Sequence, residues 1–211
     1  VLDLVHKQTE TRIDISRINF DDHAVYNDIH NADTIGVFQI ESAAQMQTVT
    51  RLRPSNLTEM AWEVGAVRPG VGVNDGVTLL IRRHMGKDVN WKFDHPLEKP
   101  ALERTYGVPL YQDQLVELAM YVAGMSAVDG DQMRRAFTRR NAEQHVTHWK
   151  EQFITGALAN GVPLDVAERI FSKFHGLYQF PEAHAFAFGV TAYQMSWLKH
   201  YWPLEFFVGL F

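Results

Sequence analysis

QDQLVELAMYVAGMSAVDGDQMRRAFTRR, residues 112–140, decides the fold class of this chain. Leu115, Leu118, Ala119 and Val122 recur at spacings of three and four, the period of one helix face, and Gly124 follows as a stop. Beyond it, DGDQMRRAFTRR predicts a short second helix capped by Asp129 or Asp131, with Met133 and Phe137 turned to the core. The period continues through Val146, Trp149, Phe153 and Ala157 up to Gly161, and then through Val166, Ile170, Phe171 and Phe174. An apolar run from Ala183 to Trp202, stopped before Pro203, marks one more helix. Upstream, Asn56 followed by Glu59 has the capping-box spacing and opens a helix ended by Pro69 and Gly70.

The expected fold is therefore mainly α. Residues 71–109 hold many Gly and Pro and little periodicity, so this stretch is expected to be loop-rich, with one or two short β-strand pairs around GVTLLIRR (76–83) or GVPLY (107–111). Residues 1–33 read as a helix end and a linker. The rest, 34–211, reads as one domain whose helical portion covers about 110–205.

Bulk properties narrow the function classes. With no Cys among 211 residues, disulfides, thiolate metal sites and a cysteine nucleophile are excluded. No apolar run approaches the roughly 18 residues of a membrane span, and the N-terminus lacks a signal-peptide layout, so a soluble cytoplasmic protein is expected. The net charge of −5 argues against whole-surface attraction to nucleic acid and requires any such contact to come from a local patch. The apolar ending EFFVGLF is expected of a piece excised from a longer protein.

Four constellations carry chemistry. Arg134, Arg135, Arg139 and Arg140 sit on a short anchored helix, which presents planar donors of the kind that polyphosphate oxygens accept; the bland alternative is a solvated face paired with nearby acids. Arg82, Arg83, His84 and Lys87 form a second basic cluster suited to a nucleic-acid backbone, although surface solubility explains such clusters more often. Arg68, between an apolar helix and a rigid Pro-Gly turn, reads as a held arginine. In YQFPEAHAFAFGVTAYQ, small residues interleave with rings and would let a flat base approach a helix; core packing is the alternative, and Tyr178 and His184, with polar tips, are the better site candidates.

Metal and acid–base chemistry find less support. His145 and His148 share a helix face but lack a carboxylate at matching spacing, so surface residues are expected there rather than the zinc of a hydrolase. The D-G-D of Asp129 and Asp131 precedes an Arg-rich segment, where capping accounts for it. No nucleophile elbow, Walker loop or dinucleotide fingerprint is present.

In order along the chain, GVFQIES (36–42), VRPG (67–70), RRHMGK (82–87), LERTYGVPLYQDQ (102–114), DQMRRAF (131–137), FPEAHAFAF (180–188) and WLKHYWPLEFF (197–207) resemble the C-family bacterial DNA polymerase III alpha subunit. The resemblance runs from about residue 30 to the C-terminus. It implies a helical fingers region, following a palm, in a DNA-directed DNA polymerase, a nucleotidyltransferase. Arg134 and Arg135 are thereby implied to face the triphosphate of the incoming deoxynucleotide, with His184, Tyr178 and Arg68 also at the nucleotide. Arg82, Arg83, Lys87, Arg139 and Arg140 are expected on primer-template DNA.

The same resemblance implies two Mg2+ ions held by palm Asp residues outside this stretch, and no catalytic or metal-ligating residue within it. Its implied partners are the palm and thumb of the parent chain and a sliding clamp reached through other regions. Pro181 and Glu182 stand where replicative members have Asn-Lys, and Val71 where they commonly have a second Pro. Those departures resemble the error-prone, damage-tolerant branch, and a carboxylate in place of Lys should weaken local attraction for polyphosphate. The rival from another class is a non-catalytic helical module binding protein or nucleic acid.

Overall fold

The computed structural model describes residues 1–68, 72–73, 75–137, 142–174 and 180–210, with the backbone alone at 68, 72–73, 75 and 142–145. Within them the chain forms α1 (Leu2–Thr9), α2 (His23–His30), α3 (Ala43–Leu52), α4 (Leu57–Ala66), the two-residue strands β1 (Val67–Arg68) and β2 (Gly72–Val73), α5 (Asp75–His84), α6 (Lys99–Leu102), α7 (Gln112–Ala123), α8 (Ala127–Ala136), α9 (Ala142–Ala159), α10 (Leu164–Ser172), α11 (Glu182–Tyr201) and α12 (Pro203–Leu210). The chain divides into two compact units, Val1–Asn74 with Ala183–Phe211, and Asp75–Glu182.

The first unit is built on α4 and α11. Asn56 caps α4 by accepting from the Glu59 N–H at 3.0 Å, as the capping-box spacing predicts. The last eight residues of α4, Glu59 to Ala66, are all buried. Gly189 of α11 meets this helix so closely that an added Cβ would lie 3.0 Å from the Ala61 nitrogen. Ala185, Gly189, Ala192 and Ser196 of α11 are all buried. The small residues interleaved with rings in this stretch thus serve helix packing, and the expected approach of a flat base is not their use at Gly189. Tyr193 is fully buried, and its hydroxyl donates to the Asn19 carbonyl at 2.8 Å. Pro203, expected as a stop, also opens α12, which the sequence reading did not anticipate.

The second unit packs α7 to α10 around Leu118, Met133, Phe153, Ile170 and Phe171, all 2 % exposed or less. Gly124 ends α7 in the left-handed region at φ 64°, as expected of a residue placed past the last apolar position. Gly156 lets α9 approach α7: a Cβ there would lie 2.0 Å from the Ala123 carbonyl oxygen. Buried Gln114 binds the loop ahead of α7, accepting from the Leu110 and Tyr111 N–H groups at 2.8 and 2.9 Å and donating to Thr105 Oγ1 at 2.6 Å.

The strand expectations need correction. GVTLLIRR lies inside α5, where Val77, Leu80 and Ile81 are buried; their i, i+3, i+4 spacing outweighs the β propensity of Val, Thr and Ile. GVPLY is extended but contributes only an isolated bridge between Tyr111 and Phe180. The two-residue pairing of β1 with β2, Val67 opposite Val73, falls elsewhere. The expected helix end at Pro69 and Gly70 lies outside the described residues; α4 gives way to β1 at Val67.

Glu63 of α4 is fully buried, and neither carboxylate oxygen has a partner among the described residues. Burial pushes its pKa well above the ordinary glutamate value. Folded Glu63 therefore holds its proton more tightly than unfolded Glu63. Its contribution to stability is full below about pH 4.3 and is lost as pH rises toward the raised folded value. Glu63→Gln should gain on the wild type as pH rises through this window, by up to about 1.4 kcal/mol per pH unit. The check is thermal unfolding of both proteins from pH 4.5 to 8; a melting-temperature difference that stays constant across that range would contradict it.

Candidate functional site

Helix α8 starts one turn earlier than expected. Ser126 is its cap, accepting from the Asp129 N–H at 3.1 Å while its hydroxyl donates to Asp129 Oδ2 at 2.6 Å. Asp129 and Asp131, expected as caps, both lie inside the helix. Gly130 brings α8 onto α7, where a Cβ would stand 3.2 Å from Val116 Cγ1, and Met133 and Ala136 are buried in the core. The helix is thus fixed along one side, and its last turn carries Arg134 and Arg135, where cations suit the negative end of the helix dipole.

Asp131 gathers both guanidinium groups. Arg134 donates from Nε and Nη2 to Asp131 Oδ1 at 3.0 and 2.7 Å, and Arg135 Nε lies 2.7 Å from Oδ2. Burial pulls the Asp131 carboxyl upward, but the hydrogen bond and charge of Arg134, with Arg135 behind it, hold it below the usual carboxylate range. Arg134 is 16 % exposed and Arg135 61 %, so the first is the more rigidly held. Both guanidinium groups thus share one carboxylate, which sets the directions of their donors. Arg139 and Arg140 lie outside the described residues, as do Tyr178 and the side chain of Arg68.

His184 stands in the first turn of α11, exposed, its ring centroid 3.8 Å from that of Phe188. Phe188 in turn meets Phe38 edge-on at 5.0 Å. The structure therefore groups Arg134 with Arg135 and Asp131 in one unit, and His184 with Phe188 and Phe38 in the other.

The second basic cluster is less uniform than its spelling. Arg83 is 14 % exposed; it donates to the Tyr106 carbonyl at 2.6 Å, pairs with Asp88 at 3.3 Å and lies over the Trp91 ring at 4.8 Å. That guanidinium is committed within its own unit, whereas Arg82 and Lys87 are exposed. Arg83 also borders a cleft of about 330 Å³ lined by Leu79, Lys92, Phe93, Val108 and Lys173 among others. Lys173 bonds there to the fully buried Glu98 and, at 2.8 Å, to Asp94.

A third arrangement was missed by sequence reasoning. Arg104 donates to both oxygens of Glu182, from Nε and Nη2 at 2.8 Å each, and its Nη1 lies 2.9 Å from Glu117 Oε2. The partners are 78 residues apart in sequence, a separation that no local pattern reports. Glu182, expected to repel polyphosphate, is thus matched to an arginine. His148 bonds Gln152 at 3.0 Å, the side chain of His145 lies outside the described residues, and no cluster of three His, Cys, Asp or Glu suited to a metal occurs among the described residues. No described helix is long and apolar enough to cross a membrane.

The family model of the bacterial DNA polymerase III alpha subunit finger domain matches residues 1–161. The chain belongs to this finger-domain family. Among similar curated proteins, the error-prone DNA polymerase of Vibrio vulnificus strain YJ016 is 44 % identical over 208 residues, which is 97 % of this chain and 20 % of the relative. Those of Idiomarina loihiensis and Mycolicibacterium paratuberculosis are each 37 % identical, over 100 % and 99 % of the chain. The finger-domain chain spans about one fifth of the length of these relatives. Their names agree with the departures at Val71, Pro181 and Glu182 that resemble the error-prone branch.

Proposed function

We propose that this chain forms the fingers of an error-prone DNA polymerase and that Arg134 and Arg135 bind the triphosphate of the incoming deoxynucleotide. The observation that carries the reading is the guanidinium pair organised on Asp131 at the end of an anchored helix. Donors fixed before the ligand arrives need little reorganisation to meet developing charge. A triphosphate competes well for them, because Asp131 offers a single negative charge and the phosphate chain several. Sharing is also open: the guanidinium of Arg134 has five N–H donors, of which the bonds to Asp131 use two.

His184, Tyr178 and Arg68 are proposed nucleotide contacts on the resemblance of their motifs. Arg82, Lys87, Arg139 and Arg140 are proposed for primer-template phosphates, and Arg83 with them as a residue that shapes the loop. The carboxylates beside the arginines do not suit a magnesium pair, since Asp129 is bonded to Ser126 and Asp131 to two guanidinium groups. Mg2+ is accordingly assigned to the palm of the parent chain, as are the catalytic carboxylates. Residues 1–33 are proposed to lead from that palm and 34–211 to form the fingers proper. The thumb and a sliding clamp are the further partners in this reading, and the cytoplasm its compartment.

In the full-length polymerase, Arg134→Ala should raise the nucleotide KM or lower turnover by roughly tenfold or more, from loss of one or two charged hydrogen bonds. Steady-state nucleotide titrations measure this, and unchanged kinetics would refute the assignment. The isolated 211-residue chain should show no primer extension with magnesium. Extension above background would place catalytic carboxylates within it.

A further inference from the structure

We propose that Arg104 and Glu182 are positioning residues: their ion pair is a clamp that fixes the first turn of α11 and so sets where His184 is presented. The inference rests on the nucleotide-binding reading above and assigns a role to two residues outside it.

A helix start is its weakest part, with four N–H groups lacking intrahelical partners. At α11 the start is tied down in several ways. The N–H of Glu182 is capped by Asp113 Oδ2 at 2.8 Å. Two residues earlier, the Phe180 carbonyl accepts from the Gln112 N–H at 3.1 Å, beside the bridge to Tyr111. The Glu182 carboxylate then meets Arg104 with two parallel bonds, the strongest geometry open to an arginine and a carboxylate.

Arg104 is itself immobilised. Its Nη1 donates to the Ala101 carbonyl at 2.7 Å and faces Glu117 of α7. Arg104 stands one residue before Thr105, which buried Gln114 holds together with Ala101. Arg104, Glu182 and Glu117 are 33 %, 23 % and 31 % exposed, so water screens this cluster less than a surface pair. The hydrogen bond to Glu182, ahead of that to Glu117, raises the Arg104 pKa above its ordinary value. Buried Tyr111 has a hydroxyl without a hydrogen-bond partner among the described residues, and its pKa is raised by burial first and by the charge of Glu182 second. Loss of Glu182 would leave the Arg104 guanidinium with Glu117 as its carboxylate partner, and loss of Arg104 would leave the Glu182 carboxylate half-buried without its guanidinium.

His184 follows Glu182 by two residues, about 3 Å along the helix axis. A first turn that frays or shifts carries His184 with it, and displacements on the order of 1 Å at a reacting ligand reduce rates strongly. Because Asp113 already caps the Glu182 N–H, the clamp also implies that α11 acts through side chains rather than by offering that N–H to phosphate.

The experiment uses the full-length polymerase with Arg104→Glu, Glu182→Arg and a swap that joins both to Glu117→Gln, since Glu117 would otherwise repel the reversed charge at position 104, read by nucleotide KM, turnover and primer-template affinity. Each single reversal should raise the nucleotide KM by about tenfold with primer-template affinity unchanged, and the swap should recover it to within about threefold. If a reversal fails to fold, Glu182→Gln and Arg104→Lys take its place, with a smaller KM increase in the same direction expected. An unchanged KM in the single variants, or a swap without recovery, overturns the clamp. Arg134→Ala in the same assay separates the two readings. If it raises the KM while the 104 and 182 variants do not, the clamp alone falls; if it too leaves the KM unchanged, the nucleotide assignment falls and the clamp with it.

Discussion

The Asp131 carboxylate shared between Arg134 and Arg135 is the interaction on which the functional reading depends. Consecutive helical residues project about 100° apart, so two neighbouring arginines would ordinarily diverge into solvent. An acid three and four positions earlier reaches both, and here it does so at 2.7 Å to each. The result is a pair of planar donors oriented by a single carboxylate. On its Arg135 side the arrangement is exposed, and an exposed ion pair adds little to stability, commonly under about 1 kcal/mol. Its consequence is directional.

That direction is only as good as the helix behind it. Helix α8 is held by Gly130 against α7, at a separation tight for a methyl group, and α7 is held by Gly156 against α9, where a methyl group would collide with the Ala123 backbone. The polar groups beneath follow the same economy of position: Gln114 and Glu98, both fully buried, satisfy loop N–H groups rather than one another. Glu63, in the other unit, is a fully buried carboxyl without a hydrogen bond among the described residues. Such a group costs stability and makes α4 sensitive to pH.

Much of the helical frame was legible in the sequence, for reasons visible at particular residues. Helix α7 followed from Leu115, Leu118, Ala119 and Val122, and all but Leu115 are fully buried. Helix α4 followed from Asn56. Helix α5 was not legible because the many Gly and Pro of residues 71–109 and their weak overall periodicity obscured the spacing of Val77, Leu80 and Ile81. Helix α12 was not anticipated because its apolar run read as the cut end of an excised piece, yet Phe206 is buried in the first unit. At the candidate site, Arg134 and Arg135 were legible from their motif, and the acid three residues ahead was taken for a cap; Ser126, three residues before Asp129, carried the capping signal instead. The Arg104–Glu182 pair was not legible, since it joins distant segments that only the fold brings together.

The most direct test is a structure of the full-length polymerase with primer-template DNA and a non-hydrolysable deoxynucleoside triphosphate. The expected result has guanidinium nitrogens of Arg134 and Arg135 within about 3 Å of phosphate oxygens, with Asp131 still touching at least one of them. A bound nucleotide with no phosphate oxygen within about 3.5 Å of either guanidinium would contradict the assignment.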